Sequence, residues 1–354
     1  MWAKNHRDAS AGATVVVSGA TPLYVGSIPQ ASSPVTTGLP FDDIRAIIRA
    51  LPEIDRAAAD RAGQARAAFP LRAGGLGSLE GAGAWFAGVT GRKVGSAARP
   101  VLALFAGSHE VDEADARAEA AGFVERSGRG EAAVAQACGA NEVALKVYDL
   151  ALDLPVPDTA REAAVDEKTC AATMAFGMEA IGGGHELVAL SSVGRGGRIS
   201  AAALAAALAG EEVAAWLPGD LPVETAEGAA RAVAFHKSHL GDPLEALRRL
   251  GGRETAAIAG AILAARSERI PVILDGRVAV AAALVLERVR SDAIDHCRLA
   301  CPLGDERWDA TSAKAGLEPL GDHGMPEGEG LAAVFATLAV RTALAIHNGL
   351  AAVS

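Results

Sequence analysis

Five short runs, residues 100–106, 143–150, 187–190, 270–274 and 294–299, are apolar almost throughout and recur along the chain with amphipathic segments between them. A strand with one face in water alternates apolar and polar residues. A run that is apolar at every position needs cover on both faces, which helices provide when the strands are parallel. The pattern predicts an α/β fold, a doubly wound, mostly parallel sheet. Composition agrees: half of the residues are hydrophobic but only 4% are aromatic. Ala, Val, Leu and Ile must therefore fill the core, which suits helices packed closely on a sheet better than a stacking platform for bases.

Residues 1–39 are rich in Ser, Thr, Gly, Ala and Pro without sustained periodicity, and are expected to be a poorly ordered extension. From residue 40 to 354 a single domain is expected, with a small helical subdomain contributed by about 40–95 and 305–354. Phe41, Ile44, Ile47, Ile48 and Leu51 fall on one helical face; Pro52 ends that helix, and a second runs to about Phe69. Thr159-Ala160-Arg161-Glu162 reads as a capping box that opens a helix stopped by Gly182-Gly183-Gly184, and Ser200 opens an alanine-rich helix closed by Gly210.

Thirty-three Lys and Arg against 43 Asp and Glu leave a net charge of −10, with the basic residues scattered. Neither nucleic acid nor an anionic membrane surface is the expected partner of such a chain. The apolar runs are too short to span a bilayer, and the alanine-rich segments read as helices of a soluble fold. Four cysteines in a chain this long make no disulfide framework, and no clear secretory signal opens the sequence, so a reducing cytoplasm is expected. His296, Cys297 and Cys301 lie close together, but no second Cys/His pair at zinc spacing answers them; buried thiols are expected there, not a metal.

In open α/β sheets ligands bind beyond the carboxyl ends of the strands. The residues there are Ala106-Gly107-Ser108-His109-Glu110-Val111, Tyr148-Asp149, Ser191 to Arg198, and Asp275-Gly276. In the third, Gly194, Arg195, Gly196, Gly197 and Arg198 stand between a strand and a helix. Glycines let backbone amides approach an anion, a helix N-terminus adds partial positive charge, and arginine adds a bidentate clamp, so a phosphate fits. A flexible turn with solvated arginines accounts for the same residues equally well. No Gly-Lys-Ser/Thr follows, as a Walker A loop would need, and the Rossmann spacing is absent. Two further glycine-bearing stretches precede helices: Arg72 to Glu80, with Gly74 and Gly77, and Gly324 to Gly330, with Glu327 and Glu329. Carboxylates at a helix start are caps by default, but one held in a glycine-rich turn can also serve as a general base.

Taken in order, these segments resemble the nicotinate-nucleotide:dimethylbenzimidazole phosphoribosyltransferases, the CobT family, over roughly residues 41–350. The family pattern Pro-x-Gly-Ser-Leu-Gly-Arg-Leu-Glu is matched at Gly74, Leu76, Gly77, Leu79 and Glu80, and Ala-x-Asp-His-Gly-Val at Ala106, His109 and Val111. Gly-Gly-Phe-Glu-Ile-Ala-Ala appears as Gly251-Gly252-Arg253-Glu254-Thr255-Ala256-Ala257, and Pro-Val-x-x-Asp-Gly as Pro271 to Gly276. Gly-Met-Arg-Leu-Gly-Glu-Gly-Thr-Gly-Ala is kept at Gly324, Met325, Gly328, Glu329, Gly330 and Ala333.

The resemblance implies transfer of ribose 5-phosphate from nicotinate mononucleotide to 5,6-dimethylbenzimidazole or a related base, giving α-ribazole phosphate. It implies a homodimer, no cofactor, and Glu329 as the base. Substrate contacts are then expected from Gly74, Gly77, Ser108, His109, Gly194, Arg195, Gly196, Gly197, Arg198, Arg231, Gly252, Glu254, Asp275 and Gly328. Ser108, Asp149, Arg195, Arg198, Asp275 and Glu329 are expected to face one cleft. The chain departs from the family at Gly-Glu-Met-Gly-Ile-Gly-Asn-Thr-Thr, where it carries Ser192 for the Glu and Gly197-Arg198-Ile199 for the Asn-Thr-Thr. Ser108 stands for the Asp of Asp-His-Gly-Val, and Arg231 for a Lys. These changes keep open a second reading, a non-catalytic relative that binds a nucleotide or ribazole ligand.

Overall fold

The computed structural model describes residues 14–18, 40–110, 114–217, 221–326 and 329–352. Six strands form one sheet in the order β1-β3-β2-β4-β5-β6, with β1 Thr14–Ser18, β2 Pro100–Ala106, β3 Ala144–Asp149, β4 Leu187–Val193, β5 Val272–Leu274 and β6 Cys297–Leu299. β2 to β6 are parallel, at the five apolar runs. β1 is an addition within the segment expected to be poorly ordered: it pairs antiparallel with β3, Thr14 opposite Asp149. Thr-Val-Val-Val is strongly β-forming, and the edge of β3 offers it an open row of amides and carbonyls. The remainder of 1–39 lies outside the described residues.

Thirteen α-helices are present among the described residues: α1 Pro40–Ala50, α2 Arg56–Ala67, α3 Ala82–Thr90, α4 Ala114–Gly128, α5 Ala133–Ala140, α6 Glu167–Ala180, α7 Arg195–Ala209, α8 Val223–His236, α9 Pro243–Leu250, α10 Arg253–Ser267, α11 Arg277–Val289, α12 Glu306–Lys314 and α13 Leu331–Ala351. Successive strand residues point to opposite faces. Val101, Ala103, Phe105, Val188, Leu190, Val272 and Leu274 meet α1, α6, α7, α9, α10 and α11, whereas Leu102, Leu104, Ala106, Leu187, Ala189 and Ile273 meet α3, α4, α5 and α13. The two ends of the chain, read as a helical subdomain, thus supply α1 to one layer and α3 and α13 to the other. By length and hydropathy α13 could cross a membrane, but half of its most apolar stretch is buried in this fold.

Two helix starts differ from expectation. α6 begins at Glu167, capped by Asp166, whose carboxylate accepts from the Thr169 amide at 2.6 Å. The sequence around Thr159 forms only a turn, in which Asp158 Oδ1 accepts from the Ala160 amide. α7 begins at Arg195, not Ser200, so Gly196 and Gly197 are helical; its end at Gly210, in the left-handed region with φ 70°, is as expected.

Strand order places a switch point between β2 and β4: the chain leaves β2 for β3 on one side and returns in β4 on the other. The Gly107 amide donates to Val193 O at 3.0 Å across it. A Cβ on Gly194 would lie 2.4 Å from Gly107 O, and Gly194 has φ 128°, so only glycine fits.

The close crossing of α6 and α10 is also made by glycine. A Cβ on Gly177 of α6 would lie 1.8 Å from Ala257 O of α10, and one on Gly260 of α10 would lie 1.9 Å from Met174 O. α10 is buried along almost its whole length and cannot retreat, and α6, whose outer face is exposed, could give way only by lifting off α10. Gly260→Ala should therefore destabilise the protein by about 3 kcal/mol or more, at the top of the range for overpacking. A denaturant midpoint within error of wild type would show that the two helices can part freely.

Candidate active site

Three helix N-termini meet beyond the carboxyl ends of β4 and β5. α7 is capped by Gly194 (φ 128°), α11 by Gly276 (φ 85°) and α13 by Gly330 (φ 92°), and none has a side-chain cap. A helix start of this kind presents unpaired amides and partial positive charge. A cleft of about 440 Å³ opens there, lined by Ser191, Ser192, Gly194, Arg195, Arg198, Asp275, Gly276 and Glu329, and on its far side by Ala116, Glu119, Ala120, Phe123 and Arg126 of α4.

Asp275, 2% exposed, joins two of these termini. Its amide donates to Leu190 O at 2.9 Å, and its Oδ2 accepts from the Gly330 amide at 2.9 Å. A Cβ on Gly330 would stand 2.9 to 3.2 Å from Leu102, Leu104 and Val134, so the chain approaches the sheet only as glycine. Glu329 is carried on this tether in the left-handed region, φ 47°, which a non-glycine residue adopts only when its surroundings impose it.

Arg198 is half-buried, and Arg126 stands opposite on α4. Loss of hydration in the cleft raises the Glu329 pKa above the ordinary carboxylate value; Arg126 and Arg198 pull it back and Glu119 pushes it up. Arg195 is exposed and paired with Glu119 at 3.0 Å. An exposed pair of this kind holds little free energy, so Arg195 is free to change partner.

A second cavity of about 270 Å³ lies on the other side of the first turn of α7, lined by His109, Asp158, Gly196, Ser200, Glu224 and Arg231 among others. Between the two cavities Glu254 is buried and hydrogen-bonded to His109 Nε2 at 2.8 Å. Burial pushes its carboxyl up, but His109 brings it net below its ordinary value.

The expected residues therefore divide. Arg195, Arg198, Asp275 and Glu329 share the first cleft with Gly194; His109, Gly196 and Arg231 line the second. Ser108 and Asp149 line neither: the Ser108 hydroxyl donates to Leu152 O at 2.9 Å, and Asp149 Oδ1 accepts from the Leu152 amide at 2.8 Å, so both brace the turn after β3. Gly197, Gly252 and Glu254 pack against one another beneath α7. Gly74 and Gly77 belong to an exposed loop that Ser78 pins to Leu320 O, away from both cavities. Gly328 lies outside the described residues. Glu119, Phe123 and Arg126 escape a reading of the sequence, because an arginine in the last turn of a crossover helix looks like ordinary dipole compensation.

A doubly wound sheet with glycine-capped helix ends and arginines at its switch point defines an α/β protein built to receive a phosphorylated small molecule. The family model for phosphoribosyltransferase matches residues 51–354. Proteins of Brucella canis and Brucella suis, named nicotinate-nucleotide–dimethylbenzimidazole phosphoribosyltransferase, are 46% identical over 325 residues, covering 89% of this chain and 96% of theirs. A crystal structure of the enzyme of that name from Thermus thermophilus superposes with a TM-score of 0.72 at 25% identity, over 83% of this chain and 96% of the other. The chain belongs to the nicotinate-nucleotide–dimethylbenzimidazole phosphoribosyltransferase family.

Asp275→Ala should remove the acceptor of the Gly330 amide in a buried position and destabilise the protein by about 1 to 3 kcal/mol. Asp275→Asn, which keeps an acceptor oxygen, should lose less. Equal losses for the two variants in thermal unfolding would mean that the contact with Gly330 does not hold the turn.

Proposed function

We propose that the protein transfers ribose 5-phosphate from nicotinate mononucleotide to a nitrogen of 5,6-dimethylbenzimidazole or a related base, yielding α-ribazole phosphate and nicotinate. The observation that carries this reading is Glu329, a carboxylate of raised pKa held in a left-handed turn at the rim of a cleft lined by helix N-termini and arginines. The names of the Brucella relatives support it.

The chemistry asks little of the protein. Nicotinate leaves from a positively charged ring nitrogen: the bond to the ribose C1′ breaks and its electron pair neutralises that nitrogen, so no acid is needed. The acceptor nitrogen forms the new bond with its lone pair, and the imidazole N–H proton must then leave. Glu329 accepts it, and a carboxyl with a pKa raised by loss of hydration is a stronger base than one in water. The first-turn amides of α7 and α11, with Arg198, receive the phosphate. Arg198 takes over contacts that hydroxyl and amide side chains of the family pattern make. No cofactor enters this scheme. The reading includes a homodimer in the cytoplasm; the four buried, unpaired thiols suit a reducing compartment.

Glu329→Gln keeps shape but cannot take the proton, so turnover should fall by roughly 10²- to 10⁴-fold with nucleotide affinity nearly unchanged. Product mass after incubation with nicotinate mononucleotide and a panel of benzimidazoles is the readout. Nucleotide binding with no product from any acceptor, and no effect of Glu329→Gln, would establish a binding protein instead.

Rate should be lost as pH falls through the pKa of Glu329, because only the carboxylate accepts a proton. Arg198→Ala removes a cation that lowers this pKa, so the acid limb of the rate profile should move to higher pH. The same variant should weaken nucleotide binding by about 1.5 to 3 kcal/mol, the range for a hydrogen bond to a charged group, with less effect on the dephosphorylated nucleoside. An unmoved acid limb, or equal losses for nucleotide and nucleoside, would remove Arg198 from the phosphate site.

A further inference from the structure

Glu254 is 1% exposed and lines neither cavity, yet three glycines make room for its carboxylate. A Cβ on Gly107 would stand 2.2 Å from its Oε2, one on Gly197 2.7 Å from Oε1, and one on Gly252 2.4 Å from Oε1. These glycines come from different segments: the turn after β2, the first turn of α7 and the N-cap of α10. Oε1 is bonded to His109 Nε2, and Oε2 has no hydrogen-bond partner. Burying such a group is costly, and an apolar side chain of similar volume often fills a site of this kind at no loss of stability. Packing alone therefore does not account for a carboxylate here.

We propose that Glu254 is a positioning residue for the reaction: with His109 it forms a unit beneath the first turn of α7 and sets the placement of the amides and of Arg198 that receive the nucleotide phosphate. The proposal rests on the function proposed above. His109 lines the second cavity beside Gly196, whereas Arg195 and Arg198 of the same turn line the first, so the pair underlies the turn from within. The carboxylate touches Gly197 directly and acts on Arg198 only through the backbone.

The test uses the intact protein with Glu254→Gln, His109→Asn, the double variant and Gly197→Ala, titrated calorimetrically with nicotinate mononucleotide and, separately, with inorganic phosphate. Glu254→Gln preserves shape and should leave the melting temperature within a few degrees of wild type. The Kd and KM for the nucleotide should rise about tenfold while kcat changes less than about threefold, the signature of lost ground-state and transition-state binding alike. Gly197→Ala, which pushes the carboxylate aside, should move KM the same way. The double variant should be no worse than the poorer single variant, because groups that act as a unit are not additive.

Kd and KM within twofold of wild type for Glu254→Gln, or losses that multiply in the double variant, would overturn the proposal. If Glu254→Gln does not fold, His109→Asn and Gly197→Ala decide by the same criterion. If wild type binds phosphate but not the nucleotide, the functional reading fails, and the phosphate titration of the variants still decides the role of Glu254.

Discussion

The backbones of Gly107 and Gly194 touch where β2 and β4 part, an approach that only a glycine at 194 allows. The Gly107 amide is bonded to Val193 O, and Gly194 faces Gly107 O too closely for a Cβ. With the strands drawn together at this point, α7 can start immediately after β4, and its first turn becomes a wall between two cavities. The tether from Asp275 to Gly330 brings the start of α13 to the same rim from the other end of the chain. A sheet with bulkier residues at these ends would have the same topology and no site.

A chain with a net charge of −10 holds a local region suited to anions, and the scales of the two effects explain why. Net charge is spread over the surface and screened within about 10 Å at moderate ionic strength. Helix termini and the half-buried Arg198 guanidinium act over a few ångströms within the cleft. Glu329 sits exposed at the edge of this field, where partial loss of hydration pushes its carboxyl up and Arg126 and Arg198 draw it back.

The sheet was legible because parallel strands buried on both faces leave an unambiguous trace: all five appear at their apolar runs, and only β4 continues past its run, to Val193. β1 left only its β-forming Thr-Val-Val-Val, a run too short to show a period within an extension rich in small and polar residues. The capping pattern at Thr159 misled because Asp158 satisfies the local amides in a turn, and the true cap, Asp166, comes eight residues after Asp158. Glycines 196 and 197 looked like a loop although they are helical. What Gly197 answers to is the carboxylate of Glu254, which is distant in sequence and close only after folding. Family motifs pointed to Glu329 and Asp275, and Arg198 stood out where the chain departs from them, but α4 contributes to the cleft through residues that carry no motif at all.

The glycine crossing of α6 and α10 bears on traffic through the cleft. With each helix's backbone resting on a carbonyl of the other, the two behave as one stiff body, and α7 and α11 share their core. The layer behind the cleft is thus its most closely packed part. The wall formed by α4 is fastened across the opening to α7 by an exposed ion pair, Arg195 with Glu119, and faces Glu329 on its strained turn. The rear of the site is thus locked by backbone packing, whereas its α4 side is joined to α7 by a contact that holds little free energy, so any widening of the cleft costs least on the α4 side.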